Sequence, residues 1–364
     1  VGVLAGDRAS SSALALADSG PIISWAYDQV APAVAFNPDA GQYLAVWEDH
    51  HWGNGANWSI YCHRVGADGG LIGSRVSIAY GGKNHVMAPD VVYHPTIQEY
   101  LVVWEYAQSS SNHDIYAHRV GEDGSLPGDE IHVAALTKSE SNPAVAYNSQ
   151  DDEYLVVWER REGSGETAHF DIIGQRLDPS GDAQGAAFTI ATGLLDQLSP
   201  AVAFDPATNQ YLVVWEDFAM PVPVASVGAP AVVQSDIYGQ RLGANGSLAG
   251  GLIPISTWQY DQVKPRLAFN TAAHEFMVVW EDHHWGEGES WSIHGQRVGT
   301  SGALLGGLIS ISYGDQNHVL VPDVAYHPAL DEYVVAWEYE DSPSDSDVLW
   351  RRVGSDGSLP EDEF

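Results

Sequence analysis

The sequence has one cysteine, Cys62, in 364 residues. That excludes an intrachain disulfide, and a domain this large needs no such staple, so secretion stays open. Basic residues are also scarce. Lys plus Arg number 15 against 49 Asp plus Glu, for a formal net charge of −34. Nucleic acid and anionic membrane both need a basic surface, so neither is expected as a partner. The balance favours cations, basic partners or a salty medium. No apolar run approaches the roughly 20 residues of a membrane span. No segment holds a helical period. Ser/His/Asp triads, phosphate-cradling glycine loops and cysteine-based metal motifs are all missing.

What is present is a repeat. Tyr43-Leu44-Ala45-Val46-Trp47-Glu48 recurs from Tyr100, Tyr154, Tyr211, Phe276 and Tyr333. Each copy is short, β-branched and aromatic, as a buried strand is. A proline precedes each copy, at Pro32, Pro89, Pro143, Pro200, Pro265 and Pro322. A strand ending in Arg follows, then a Gly-containing turn and a last apolar strand. Four strands per unit result: a (33–36 in unit 1), b (43–48), c (60–65) and d (76–79). The a–b turns are rich in Asn, Asp and Pro, and the c–d turns carry glycine, both with tight-turn chemistry. Four-stranded antiparallel units in series predict an all-β fold, a six-bladed β-propeller. The last unit lacks strand d, and Pro21–Val30 matches the strand d segment Pro254–Val263 of unit 4. The N-terminal strand is therefore expected to complete blade 6 and close the ring, which also removes an exposed sheet edge. Residues 21–364 form the propeller, with blades starting near 32, 89, 143, 200, 265 and 322. Residues 1–20, small and Ser/Ala-rich, read as an arm or leader remnant, and Val at position 1 reads as a processed start.

A second layer of repetition lies over the first. Asp28, His50, His85 and His94 recur at Asp261, His283, His318 and His327 at one constant offset, so blades 5 and 6 copy blades 1 and 2. The unit V-V-W-E…D-I-Y-G-Q-R, clearest at Val213–Glu216 and Asp236–Arg241, resembles a repeat of secreted or surface-attached bacterial and archaeal β-propeller proteins. Blade 6 departs from it most, at Val348-Leu349-Trp350-Arg351-Arg352. The resemblance implies the fold and an extracellular or cell-surface location, and says little of function.

The b–c and d–a connections share one face, and the b–c loops vary, which is where a site is expected. Blades 1 and 5 carry matching loops with Asp49, His50, His51, Trp52 and Trp58, and with Asp282, His283, His284, Trp285 and Trp291. With His85 and His318 from the d–a loops, these are the ligand-binding candidates. Indoles stack on sugar faces while Asp and His bond hydroxyls. The alternative for Trp58 and Trp291 is packing beneath the loop. A zinc or copper ion between His50, His51 and His85 is a further candidate.

The strand-b glutamates repeat in every blade, which favours an architectural role over a catalytic pair. Glu105 with Asp114, Glu159 with Asp171, Glu216 with Asp236 and Glu338 with Asp347 read as like charges across a hairpin. Such pairs need an offset. Calcium is the candidate ion, with Asp341 and Asp345 adding ligands in blade 6; no cofactor is required. The repeated arginines are expected to bond backbone or a neighbouring blade. Asn57 and Asn245 open glycosylation sequons. The blade 4 loop, 218–233, is uncharged and apolar, so it and the 1–20 arm are expected self-assembly surfaces. These features predict a non-catalytic glycan- or cation-binding module, with a surface-layer or filament subunit as the alternative. A glycoside-active enzyme ranks last.

Overall fold

A computed structural model describes residues 22, 29–50, 58–81, 84–109, 111–134, 138–219, 234–283, 291–313, 318–342 and 345–360. The 1–20 arm, the loops 51–57 and 284–290, and blade 4 loop residues 220–233 lie outside the described residues. The fold is a six-bladed β-propeller. Five blades show four antiparallel strands in the order a-b-c-d, and blade 6 shows three among the described residues. The expected closing strand falls on residues 21–28, of which only Ile22 is described. Its last two expected residues, Gln29 and Val30, instead open strand a of blade 1.

The a strands are innermost: Gln29–Asn37, His85–His94, Glu140–Asn148, Gln197–Asp205, Gln262–Asn270 and His318–His327. Strand b is apolar without interruption because both of its faces are covered. In blade 2, Tyr100, Val102 and Trp104 pack on blade 1, while Leu101 and Val103 pack on blade 3. Successive side chains leave a strand on opposite sides, so one b strand serves two interblade cores. Trp104, Trp158, Trp215, Trp280 and Trp337 are fully buried there. Truncating one such Trp to Ala costs about 3–5 kcal/mol.

The proline of each repeat makes a bulge. Every residue before it (Ala31, Ala88, Asn142, Ser199, Lys264 and Val321) has φ between +46° and +53°. The a–b register shifts at the same place in each blade. The left-handed turn directs that residue's N–H out of its own sheet. The strand-c arginines tie blades at the opposite end. Arg64, Arg241 and Arg297 donate to the Glu122, Thr300 and Asp356 carbonyls of the next blade at 3.0, 3.0 and 2.9 Å. Arg297 also forks onto Glu275 of its own blade at 2.7 and 2.9 Å.

Candidate active site in the axial channel

The outward N–H groups at the bulges meet the strand-b glutamates of the preceding blade. Glu48 accepts from Ala88 at 2.6 Å, Glu105 from Asn142 at 3.1 Å and Glu159 from Ser199 at 2.7 Å. Glu216 accepts from Lys264 at 3.4 Å and Glu281 from Val321 at 2.5 Å. These buried carboxylates are interblade staples. Burial pushes the Glu216 carboxyl up to about 7. Glu281 ends below its ordinary value: burial is outweighed by hydrogen bonds from His283, Lys264 and Val321.

The expected facing Glu–Asp pairs do not form. The b–c register sets Asp114 opposite Tyr106, Asp171 opposite Arg160, Asp236 opposite Asp217 and Asp347 opposite Tyr339. Each Asp is one residue out of step with its Glu, so the two leave opposite faces of the sheet. Asp114 is bonded by Gln108 at 2.5 Å, and Asp347 is exposed. Asp341 and Asp345 lie in the last hairpin, but their side chains are outside the described ones. One like-charge pair does exist. Asp236 faces Asp217, and burial, Asp217 and Asp261 push Asp236 up to about 6.

The His–Trp loops fold as two matching stacks. His50 lies on Trp58 with centroids 4.0 Å apart and 12° between planes, and His85 tilts against the same indole at 4.5 Å. His283, Trp291 and His318 repeat this at 4.0 and 4.6 Å. His50 and His283 also meet Glu48 and Glu281, at 3.1 and 3.4 Å. Both indoles are thus engaged by imidazoles, as packing beneath the loop requires, while Trp52 and Trp285, the expected sugar platforms, lie outside the described residues. Among the described residues no group of three His, Cys, Asp or Glu side chains is placed to hold a metal. Asp49 and Asp282 are buried opposite Ser59 and Ser292. His51, Trp52, His284 and Trp285 lie outside the described residues. His94, on the far face, is buried against Tyr147 and Tyr154.

The channel holds a cluster that the sequence reading passed over. The residue after each blade proline is Ala33, Asp90, Ala144, Ala201, Arg266 or Asp323. Three are alanines packed against the interblade cores, and three are charged side chains at the same level. Asp90 of blade 2 senses Arg266 of blade 5 and Asp323 of blade 6, which lie across the axis. Its Oδ2 accepts from Val145 of blade 3 and its Oδ1 from Val91, both at 2.8 Å, so the carboxyl is held in place. Burial pushes Asp90 up to about 6, with those two bonds and Arg266 opposing. Asp323 is also raised by burial against the pull of Arg266, and accepts from Val324 at 2.9 Å. The Arg266 guanidinium donates to the Pro265 carbonyl at 3.0 Å. Two carboxyls and a guanidinium around one space can move a proton and hold hydroxyls. The signal for this cluster was available. The P-D-V form of the repeat puts Asp where blades 1, 3 and 4 have Ala.

No family model matches the chain, and no curated protein matches it. Solved structures do match. An α-L-arabinanase of Penicillium chrysogenum, complexed with arabinobiose, is 14% identical with TM-score 0.58, covering 92% of this chain and 96% of that one. An α-L-arabinofuranosidase of Fusarium graminearum with an iminosugar inhibitor is 13% identical with TM-score 0.55, covering 90% and 94%. A Dyadobacter fermentans protein of unknown function is 10% identical with TM-score 0.56, covering 76% and 80%. At these identities the likeness establishes the fold class, a six-bladed propeller. The fold is shared with glycoside hydrolases, which corrects the expectation of a non-catalytic binding module or structural subunit and the ranking of an enzyme last.

Proposed function

We propose that this chain is a glycoside hydrolase, acting in the axial channel on arabinofuranose-containing glycans. The observation that carries the reading is the placement of Asp90, Asp323 and Arg266 at one level of the inner strands, within electrostatic reach of one another. Asp90, raised to about 6, is the general acid that protonates the leaving glycosidic oxygen. Asp323, open to the channel, is the base that takes a proton from water as its oxygen attacks the anomeric carbon. Arg266 steadies Asp323 as a carboxylate and offers its remaining N–H donors to sugar hydroxyls. The two aspartates come from inner strands with the whole of blade 1 between them. The course proposed is inverting, with a water between the two carboxyls, which needs them about 6.5–9.5 Å apart. A polysaccharide substrate also fits the extracellular location that the repeats suggest.

Activity should be measured on linear arabinan and on an aryl α-L-arabinofuranoside. Asp90→Asn and Asp323→Asn are each expected to lower kcat about 10²–10⁴-fold. Wild-type activity should fall as pH rises through about 6, because the acid form of Asp90 is lost there. Variants that cut as fast as wild type would remove the assignment.

A further inference from the structure

The duplicated His–Trp stacks take no part in the chemistry above, yet each leads to a channel carboxyl. In the first copy Glu48 makes the link. Its Oε2 meets Nε2 of His50 at 3.1 Å, and its Oε1 accepts the outward N–H of Ala88 at 2.6 Å. Ala88 and Pro89 directly precede Asp90. In the second copy Glu281 joins His283, at 3.4 Å, to the N–H of Val321, at 2.5 Å. Val321 and Pro322 directly precede Asp323. The stacks hold the same strands a second time. His50 and His85 share one indole, Trp58, and His85 opens the strand that carries Asp90. His318 meets Trp291 and opens the strand that carries Asp323. Five such staples are made among the described residues; the sixth, from Glu338 to Ala31, is not. Glu105 and Glu159 lead through Asn142 and Ser199 to Ala144 and Ala201, and Glu216 leads through Lys264 to Arg266. Glu105 also takes an imidazole, His113 at 2.5 Å, but from strand c and not from a His–Trp stack. The two staples fitted with a stack are the two that end at a carboxyl.

We propose that the two His–Trp stacks are positioning elements for the reaction: His50, with Trp58 and His85, fixes Asp90, and His283, with Trp291 and His318, fixes Asp323. The inference rests on those aspartates cutting the glycosidic bond. A carboxylate gripped by one backbone N–H can still turn about that bond. A second donor on its other oxygen fixes its plane. The indole face fixes the imidazole in turn. Each glutamate then holds the left-handed residue, and the fixed φ of the proline passes that position on to the aspartate. Burial raises Glu48, with Ala88 and His50 opposing, so the imidazole helps keep it the carboxylate that the Ala88 N–H needs. Glu281 also accepts from Lys264 at 3.0 Å, two residues before Arg266, which ties the guanidinium's strand to the same joint. The two copies keep this set while neighbouring positions have diverged, as Cys62 to Gly295 and Met87 to Leu320. Placement matters here, because a 1 Å shift of a reacting group costs about 10²-fold in rate.

The test compares His50→Leu and His283→Leu with Glu159→Ala, by kinetics on linear arabinan and by amide hydrogen exchange. Each histidine variant should lower kcat about 10–10²-fold with KM unchanged. His50→Gln keeps a donor for Glu48 and should recover most of the loss. Glu159→Ala removes a staple that leads only to Ala201, so it should lose stability and keep kcat. That contrast separates positioning from general loosening. Exchange reads the carboxyls without turnover, because Asp90 bonds the Val91 N–H and Asp323 bonds the Val324 N–H. Val91 should exchange about tenfold faster in His50→Leu, and Val324 in His283→Leu, while both keep their wild-type rates in Glu159→Ala. Wild-type kcat in the two histidine variants, or wild-type exchange at Val91 and Val324, overturns the positioning role. The catalytic reading fails separately, if Asp90→Asn and Asp323→Asn cut as fast as wild type; exchange then still decides whether the stacks hold the two carboxyls.

Discussion

Glu140 is fully buried, and neither carboxylate oxygen has a hydrogen-bond partner. It starts strand a of blade 3 opposite Arg160, whose guanidinium is drawn to Glu162 at 2.7 Å instead. Burial first, and the nearby Asp114 charge second, push the Glu140 carboxyl up to about 8. The folded value exceeds the ordinary 4.5, so the folded chain binds this proton more tightly than the unfolded chain. Native stability at this site is therefore full below about pH 4.5 and declines as pH rises towards 8. Gln keeps the shape and never ionises. Glu140→Gln should match wild type in thermal midpoint at pH 4 and exceed it by several degrees at pH 8. A constant difference across that range would show that the carboxyl is not the cause. The cross-strand positions at this level read as complementary pairs, Gln197 with Asp217, Gln262 with Asp282 and Glu140 with Arg160. Glu140 is the member whose partner is turned elsewhere.

At the scale of the blade, the joint is a proline, a left-handed residue before it and a glutamate from the preceding blade. Glu159 shows it fully made. Its oxygens take Ser199 N–H at 2.7 Å, the Asn142 amide at 2.8 Å and the Ser141 hydroxyl at 3.0 Å. Removing it strands a buried N–H, which costs about 1–3 kcal/mol. Glu159→Ala should lower the thermal midpoint by on the order of 5 °C. Glu338→Ala, at the junction where the joint is not made, should change it little. The blades themselves were legible in the sequence, because strand period, turn chemistry and repeated prolines agree. The pairing of side chains was not. The Glu-to-Asp spacing suggested facing charges, but the b–c loops differ in length, so register could not be counted through them. It is fixed from the other end, where Tyr43 meets Val65 and Tyr154 meets Leu177, and that places each Asp one step away. The channel cluster was missed for another reason. Asp90 and Asp323 sit inside a repeated motif and looked like part of its consensus, and only the ring brings Arg266 opposite them.

The whole molecule is a strongly acidic ring whose inner wall is mostly small or apolar, and that gives the few charges in the channel their weight. Burial raises both Asp90 and Asp323, and Arg266 pulls each of them the other way. Sequence composition spoke for a packed, acidic β-protein and against nucleic acid, but could not rank binding above catalysis, because aromatics and carboxylates serve both. The account's central claim is that Asp90 and Asp323 cleave a glycosidic bond with water held between them. Proton NMR of the first-formed product from an aryl α-L-arabinofuranoside tests this most directly. The account predicts that wild type releases β-L-arabinofuranose first, with inverted configuration, and that Asp323→Asn releases none while keeping the wild-type thermal midpoint. Release of the α-anomer, no release by wild type, or undiminished release by Asp323→Asn would contradict it.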